Sequence, residues 1–195
     1  SHDYAAEVRA RTESRLGFRV GGKLLRRPVD LGATVKPGQL LAQLDPQDLR
    51  LGQESAQAAL RSAQANLALS EAEFKRYKEL RDQGFISGLE LERREVALTA
   101  ARNTADQARA QAAVQGNQAA YTTLLADVAG VVTAIEAEPG AVLAAGTPVL
   151  RVAHDGPRDA VFSVPEDRVA AFRALQGKPG ALQVKLWADG KTDVP

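Results

Sequence analysis

The chain has 195 residues, 45% of them hydrophobic, with 25 basic side chains against 24 acidic ones and aromatics at only 5%. Near-neutral charge and few stacking rings exclude a nucleic-acid reader, the absence of cysteine excludes a disulfide framework and thiolate ligands, and no apolar run reaches the roughly 18 residues of a membrane span. With no methionine, even at position 1, and a Ser1-His2 start, it reads as an excised or processed segment, so any signal peptide or anchor would lie outside it.

From the N-terminus, AAEVRARTES alternates like a strand. Residues 16–44, LGFRVGGKLLRRPVDLGATVKPGQLLAQL, break into short Val- and Leu-bearing strands separated by glycine turns. The text then becomes Ala-rich. Its start predicts an Asp45 N-cap, Pro46 at the first helical position and Asp48 near the positive helix end. Inside, Leu49, Ala56, Leu60, Ala63, Leu67, Ser70, Phe74 and Tyr77 settle into alternating steps of four and three, the heptad seam of a coiled coil.

The stretch RYKELRDQGFISGLE, residues 76–90, predicts how that helix stops and the next begins. With Gly84 at C′, Leu80 and Phe85 fall at C3 and C″, the apolar pair of a Schellman ending. With Ser87 as the next N-cap, Glu90 completes a capping box, and Ile86 and Leu91 are placed as a hydrophobic staple. A second helix is expected from Gly88 to about Ala120, with Leu89, Val96, Ala100, Ala110, Val114 and Tyr121 on its seam. Arg93, Asn103, Gln107 and Asn117 are the polar seam positions, fixing register at some cost in stability. At 1.5 Å per residue each antiparallel arm is roughly 50 to 57 Å long, a rod too thin for a core of its own.

Residues 124–152, LLADVAGVVTAIEAEPGAVLAAGTPVLRV, repeat residues 16–44. Leu16, Val20, Gly22, Gly32, Ala33 and Gly38 recur 108 positions on as Leu124, Val128, Gly130, Gly140, Ala141 and Gly146. Neither half buries much alone, so the two are expected to pack face to face as a small β-sandwich with the rod inserted at their junction. Beyond it, AVFSVPEDRVAAFRAL and ALQVKLWADG add strand patterns around a short helix signal at Glu166 to Leu175. A partial β-barrel, with the N-terminal strand beside the strands after residue 155, is the expected outcome.

This nesting, with GKLLRRPVDLGATVKPGQLLAQLDPQDL before a helical hairpin and YTTLLADVAGVVTAIEAEPGAVLAAGTPVL after it, resembles the periplasmic adaptor family, or membrane fusion proteins, over about residues 15–190. The segment AVFSVPEDRVAAF is similar to the opening of that family's β-barrel. The fold class expected is mixed α and β, elongated and modular. It comprises a partial β-barrel domain at residues 1–15 and 155–195, a split lipoyl-like (biotinyl-lipoyl-like) domain at 16–45 and 121–154, and an antiparallel two-helix coiled-coil hairpin at 46–120. The family's membrane-proximal domain and a complete barrel are outside this chain.

Adaptors that serve resistance-nodulation-division pumps carry an Arg, three residues, a Leu, six residues and a Ser at the hairpin tip, and Arg76, Leu80 and Ser87 stand at those intervals. The resemblance implies that these three contact an outer-membrane channel. It also implies an inner-membrane, proton-driven transporter as the other partner, six copies in the assembled pump, and a periplasmic location anchored to the inner membrane in the full-length protein. Capping alone explains Leu80 and Ser87 without a partner, whereas Arg76 has no capping duty.

Other classes fit less well. An adaptor of a type I secretion or ATP-driven export system is the alternative. A lipoyl or biotinyl carrier is disfavoured, because Lys75 and Lys78 lie near the far end of the rod instead of in a two-strand turn. No nucleophile motif, phosphate-binding loop or His-centred constellation points to an enzyme or a cofactor. Soft-metal capture wants Met or Cys, His2 reads as tag-derived, and His154 is expected at the surface before a turn, so no metal site is expected.

Overall fold

The computed structural model describes residues 4–178, 184–185 and 192–193. They fall into two compact units, Arg15–Val152 on one side and Ser1–Ser14 with Ala153–Pro195 on the other. The first part of the chain carries β1 (Ala6–Ala10), β2 (Glu13–Gly17), β3 (Gly22–Arg26), β4 (Thr34–Val35) and β5 (Leu40–Leu44). Two long helices follow, α1 (Gln47–Asp82) and α2 (Gly88–Ala120). Then come β6 (Thr123–Leu125), β7 (Gly130–Ile135), β8 (Val142–Leu143), β9 (Pro148–His154) and β10 (Arg158–Phe162).

The repeat maps strand onto strand: β2 onto β6, β3 onto β7, β4 onto β8 and β5 onto β9. Two four-stranded sheets result, ordered β2-β9-β7-β4 and β6-β5-β3-β8, and the mapping converts one into the other. In each sheet one half supplies the two central strands and the other half the two edges. Each face of the sandwich therefore draws strands from both halves. Strands as short as β4 and β8 cannot make a sheet within their own half, and a swap satisfies their backbone groups. The bonds that do so are reciprocal. Leu24 N–H donates to the Ala141 carbonyl at 2.8 Å and Val132 N–H to Ala33 at 3.0 Å. Gly38 N–H donates to Ala126 and Gly146 N–H to Phe18, both at 2.8 Å. Gly38 and Gly146 turn there with φ of 79° and 82°, which residues with a Cβ adopt only at a cost.

The core repeats as well. Leu24 is buried with Val132, Val35 with Leu143, Leu41 with Val149, Ala42 with Leu150, Leu44 with Val152, Phe18 with Ala126 and Val29 with Ala137. A large residue is matched by alanine in three of these pairs, Leu150 by Ala42, Phe18 by Ala126 and Val29 by Ala137. Each fully buried Leu or Val stabilises the sandwich by about 1.5–3 kcal/mol. One position breaks the pattern. Ile135 packs against the core, but its counterpart is Arg27, whose side chain is only 8% exposed. The guanidinium donates to the Val29 carbonyl and to Glu138 at 3.0 Å, lies 3.5 Å from Asp30, and leaves Nε without a partner.

The hairpin grows from the sheet. β5 leads into α1 and α2 into β6, and those two strands pair antiparallel with Leu40 opposite Leu125 and Gln43 opposite Thr123. Pro46, not Asp45, occupies the N-cap position of α1, but the Asp45 carboxylate still accepts from Gln47 N–H at 3.1 Å. The α1 seam is as expected, with Ala63 buried and Leu60, Leu67, Phe74 and Tyr77 half-buried. The α2 seam is not. Leu91, Arg94, Leu98, Ala101, Ala105, Ala108, Ala112, Gln115 and Ala119 face α1, also in steps of three and four. Leu89, Val96 and Val114 are 61%, 69% and 48% exposed, and Arg93, Ala100, Asn103, Gln107, Ala110 and Asn117 lie on the same outer side. Tyr121 is half-buried, with the Arg19 Cζ 5.0 Å from its ring centroid. Alanine at most of the inner positions lets the backbones approach closely, and Leu89, Val96 and Val114 are left outside.

In the other unit β1 pairs with β10, from Ala6 opposite Phe162 to Ala10 opposite Arg158. The Arg11 guanidinium donates to Asp159 at 2.7 Å and, chiefly through that hydrogen bond, holds its carboxyl below the usual range. A 3-10 turn at Glu166–Arg168 leads into α3 (Val169–Arg173), where the helix signal was expected. Tyr4, Phe162 and Phe172 cluster with ring centroids 5.3–5.9 Å apart, and Arg168 donates to the Tyr4 hydroxyl at 3.2 Å. His154 is half-buried rather than at the surface, its Nε2 2.6 Å from Ser14 Oγ. β11 (Val184–Lys185) pairs with β12 (Thr192–Asp193). The rest of the expected ALQVKLWADG strands, like His2, lies outside the described residues.

Two substitutions test this packing by urea denaturation followed by circular dichroism. Ala105→Leu, on the inner seam, should destabilise the chain by about 1–3 kcal/mol through overpacking, whereas Val96→Ser on the outer side should change stability by less than about 0.5 kcal/mol. The reverse ranking would restore the seam expected from sequence. Arg27→Ile, copying its repeat partner, should leave stability unchanged or raise it by about 1–2 kcal/mol, because its carboxylate partners remain in water. A loss of several kcal/mol would show that the ion pairs hold the turn.

Candidate functional site

The sharpest chemical feature of the chain is the apex of the hairpin. α1 ends with Gly84 at φ +80°, with Gly84 N–H donating to Arg81 at 3.0 Å and Phe85 N–H to Leu80 at 2.9 Å. These are the two bonds of the Schellman motif. Its apolar contact is absent in one respect: Phe85 is 73% exposed, so the ring stands in solvent while Leu80 is half-buried. Ser87 opens α2 in extended geometry, and its Oγ accepts from Glu90 N–H at 3.3 Å. The expected capping box is half built. The Glu90 carboxylate turns instead to Arg94 at 3.1 Å and lies 3.8 Å from Arg93, pairings in which both partners are charged.

Arg76 is exposed one helical turn before Leu80. Its Cζ lies 5.8 Å from the Tyr77 ring centroid, and Arg94 reaches the same ring at 4.3 Å. Arg94 also bonds the Tyr77 hydroxyl at 3.3 Å and approaches Glu73 at 3.5 Å. Desolvation opposes its charge most strongly, but the Glu90 hydrogen bond and the fields of Tyr77, Glu90 and Glu73 together outweigh that and raise its pKa. Arg94 therefore stays a cation that ties α2 to α1 just below the apex.

Arg76 and Leu80 thus share one end of α1, and Ser87 begins α2 across the turn. Sequence reasoning missed the two residues that shape this end, Phe85 as an exposed ring and Arg94 as the inner tie. The tip offers the exposed Arg76 guanidinium, further cations at Lys75, Lys78 and Arg81, and the apolar Phe85 ring. Such groups suit docking against carbonyl or carboxylate oxygens beside an apolar recess. Among the described residues no group of three or more His, Asp or Glu side chains could hold a metal ion, and no helix is long and apolar enough to cross a membrane.

Residues 12–153 match the family model described as RND MFP, barrel-sandwich hybrid domain. Multidrug resistance protein MdtA of Klebsiella pneumoniae is 30% identical over 171 residues, which cover 87% of this chain and 42% of that protein. The chain therefore spans less than half the length of that relative. A putative efflux transporter from Bacteroides eggerthii is similar in structure with TM-score 0.52 at 27% identity, over 87% of this chain and 48% of that one. MacA from Actinobacillus actinomycetemcomitans shares the fold with TM-score 0.70 at 20% identity, over 85% of this chain and 56% of that one. With a match across both repeat halves and the hairpin between them, the chain belongs to the RND membrane fusion protein family.

Proposed function

We propose that this chain is the adaptor segment of a tripartite efflux pump, bridging an inner-membrane, proton-driven transporter and an outer-membrane channel. The observation that carries this reading is the built tip: a Schellman ending and a Ser87 cap close the hairpin while Arg76 and Phe85 remain in water. In this reading Arg76 supplies fixed hydrogen bonds to the channel, while Leu80 and Ser87 shape the turn and line the contact. The protein works in the periplasm, held to the inner membrane by a part of the full-length protein beyond these residues, and several copies, six in the assembled pump, surround the export path. The role is to transmit geometry, and no reaction is assigned to these residues. Family membership supports it, as do the names of two similar proteins, the multidrug resistance protein MdtA and the putative efflux transporter from Bacteroides eggerthii.

The test is Arg76→Asp in the full-length protein. Loss of charge-assisted bonds worth about 1.5–3 kcal/mol should weaken channel binding roughly tenfold to a hundredfold and lower drug resistance in step. The melting temperature should not change, because Arg76 is exposed and its side chain holds up no other contact but the Tyr77 ring. Unchanged channel binding and resistance would remove Arg76 from the docking site.

A further inference from the structure

The repeat supplies an internal control for the surface of the sandwich. A residue 108 positions away stands at the same place on the other sheet, so a side chain that the fold itself requires should have a similar counterpart there. Leu25, Leu125 and Val142 all belong to the sheet β6-β5-β3-β8 and are 47%, 48% and 81% exposed. Their counterparts on the twin sheet, β2-β9-β7-β4, are Thr133, Gly17 and Thr34. The sandwich therefore folds with small or polar groups at these three places, and the apolar ones serve something else. Single exposed apolar residues need no explanation, but three on one sheet and none as large on the strands of its twin do.

Strand register puts these groups on one outer face. Lys23 stands opposite Val142, whereas Leu143, opposite Gly22, is in the core. Leu125 lies opposite Leu40, whereas Leu124 packs inward. Between these two pairs Arg26, Gln43 and Thr123 line up across β3, β5 and β6, and Arg26 Nε donates to Gln43 Oε1 at 2.9 Å. Leu25 sits at the bulge beside Arg26. Charge shows the same asymmetry. Among the described residues Lys23 and Arg26 make no ion pair, and their counterparts on the twin sheet are the uncharged Val131 and Ala134. The twin sheet neutralises its own cations, because Arg15 and Arg151 share Glu136.

We propose that this face docks a protein surface in which carboxylates stand among apolar side chains, and that this protein is the inner-membrane transporter. The proposal rests on the bridging role given above and names the face of this chain that meets the transporter. An unpaired cation beside an exposed Val or Leu suits a carboxylate in apolar surroundings, where loss of water strengthens the charge pair. The channel is out of reach, since the 36 residues of α1 carry the tip about 54 Å from this sheet. A second copy fits poorly. Face to face it sets Lys23 and Arg26 against the same cations, and the twin sheet, where two arginines share one carboxylate, offers no surplus of negative charge. The central row of Arg26, Gln43 and Thr123 offers hydrogen bonds that suit a protein surface better than a lipid one. Three strand spacings of about 4.8 Å make the face roughly 14 Å wide, well short of a standard interface, so its loss weakens the contact without abolishing it.

The test is binding of the full-length protein to the transporter of its own pump, held in nanodiscs, with no channel present. Val142→Thr and Leu25→Thr copy the twin sheet, so each should fold and melt like the parent. Each should weaken binding about threefold to tenfold, and Lys23→Glu about tenfold, with a flatter dependence on salt between roughly 50 and 300 mM. Thr34→Val, the mirror change on the twin sheet, and Arg76→Asp at the tip should bind like the parent. Parent affinity in both Val142→Thr and Lys23→Glu overturns the proposal. Equal binding of the parent to empty nanodiscs of anionic lipid also overturns it and makes the face a membrane surface. A loss confined to self-association, read by mass photometry, overturns it and gives the face to a second copy. If the parent does not bind the transporter at all, the bridging role falls and the proposal with it. If the parent binds and the variants match it, the role stands and only the proposed face is wrong.

Discussion

The fold depends on backbone pairing between two sequence halves that a long insertion separates. Leu24 bonds Ala141 and Val132 bonds Ala33, so each half completes the sheet of the other. At the foot of the hairpin the same pairing continues: Leu44 N–H donates to the Thr122 carbonyl at 2.8 Å, and buried Thr122 returns its hydroxyl to Ala119 at 2.7 Å. The last residue of β5 and the first residues beyond α2 are thereby joined. Of the two helices, one is entered from that sheet and the other returns to it, so they run antiparallel, and the strand pairing at their foot sets their relative height.

The rest of that unit follows from this constraint. An Ala-lined pair of helices buries little area per residue and would be marginal alone. Anchored at one end by the sheet and closed at the other by Gly84 and Ser87, it loses far less conformational freedom on ordering. Arg94, tied to Glu73, Tyr77 and Glu90, adds a directional contact near the end most distant from the sheet. An arm of this kind can hold the backbone at Arg76 and Phe85 at a defined position, as the proposed adaptor role requires.

Much of this was legible in the residues because backbone requirements leave strong marks. Gly38 and Gly146 announce their turns, the recurrence of Leu16 as Leu124 announces the duplication, and Gly84 and Ser87 announce both ends of the hairpin turn. The edge-strand swap was not legible, since apolar periodicity says which side of a strand is buried and not which strand lies next to it. The α2 seam was misread for a different reason. Alanine is a weak apolar signal, so Val96 and Val114 dominated the pattern although close packing favours Ala105 and Ala112. Arg27 hides in a turn sequence that reads as solvated, and His154 reads as isolated because Ser14, its partner, is distant in sequence. At the tip, a capping pattern cannot reveal that Phe85 faces water, because the same spacing serves a packed ring.

Reciprocal pairing of this kind makes both halves one cooperative structure in which neither folds without the other. Native-state hydrogen exchange at Leu24, Gly38, Val132 and Gly146 tests it most directly, since these amides make the reciprocal bonds between the halves. A single opening free energy is expected for all four, falling with denaturant along one slope. Two distinct opening energies, with Leu24 and Val132 exchanging independently, would contradict it.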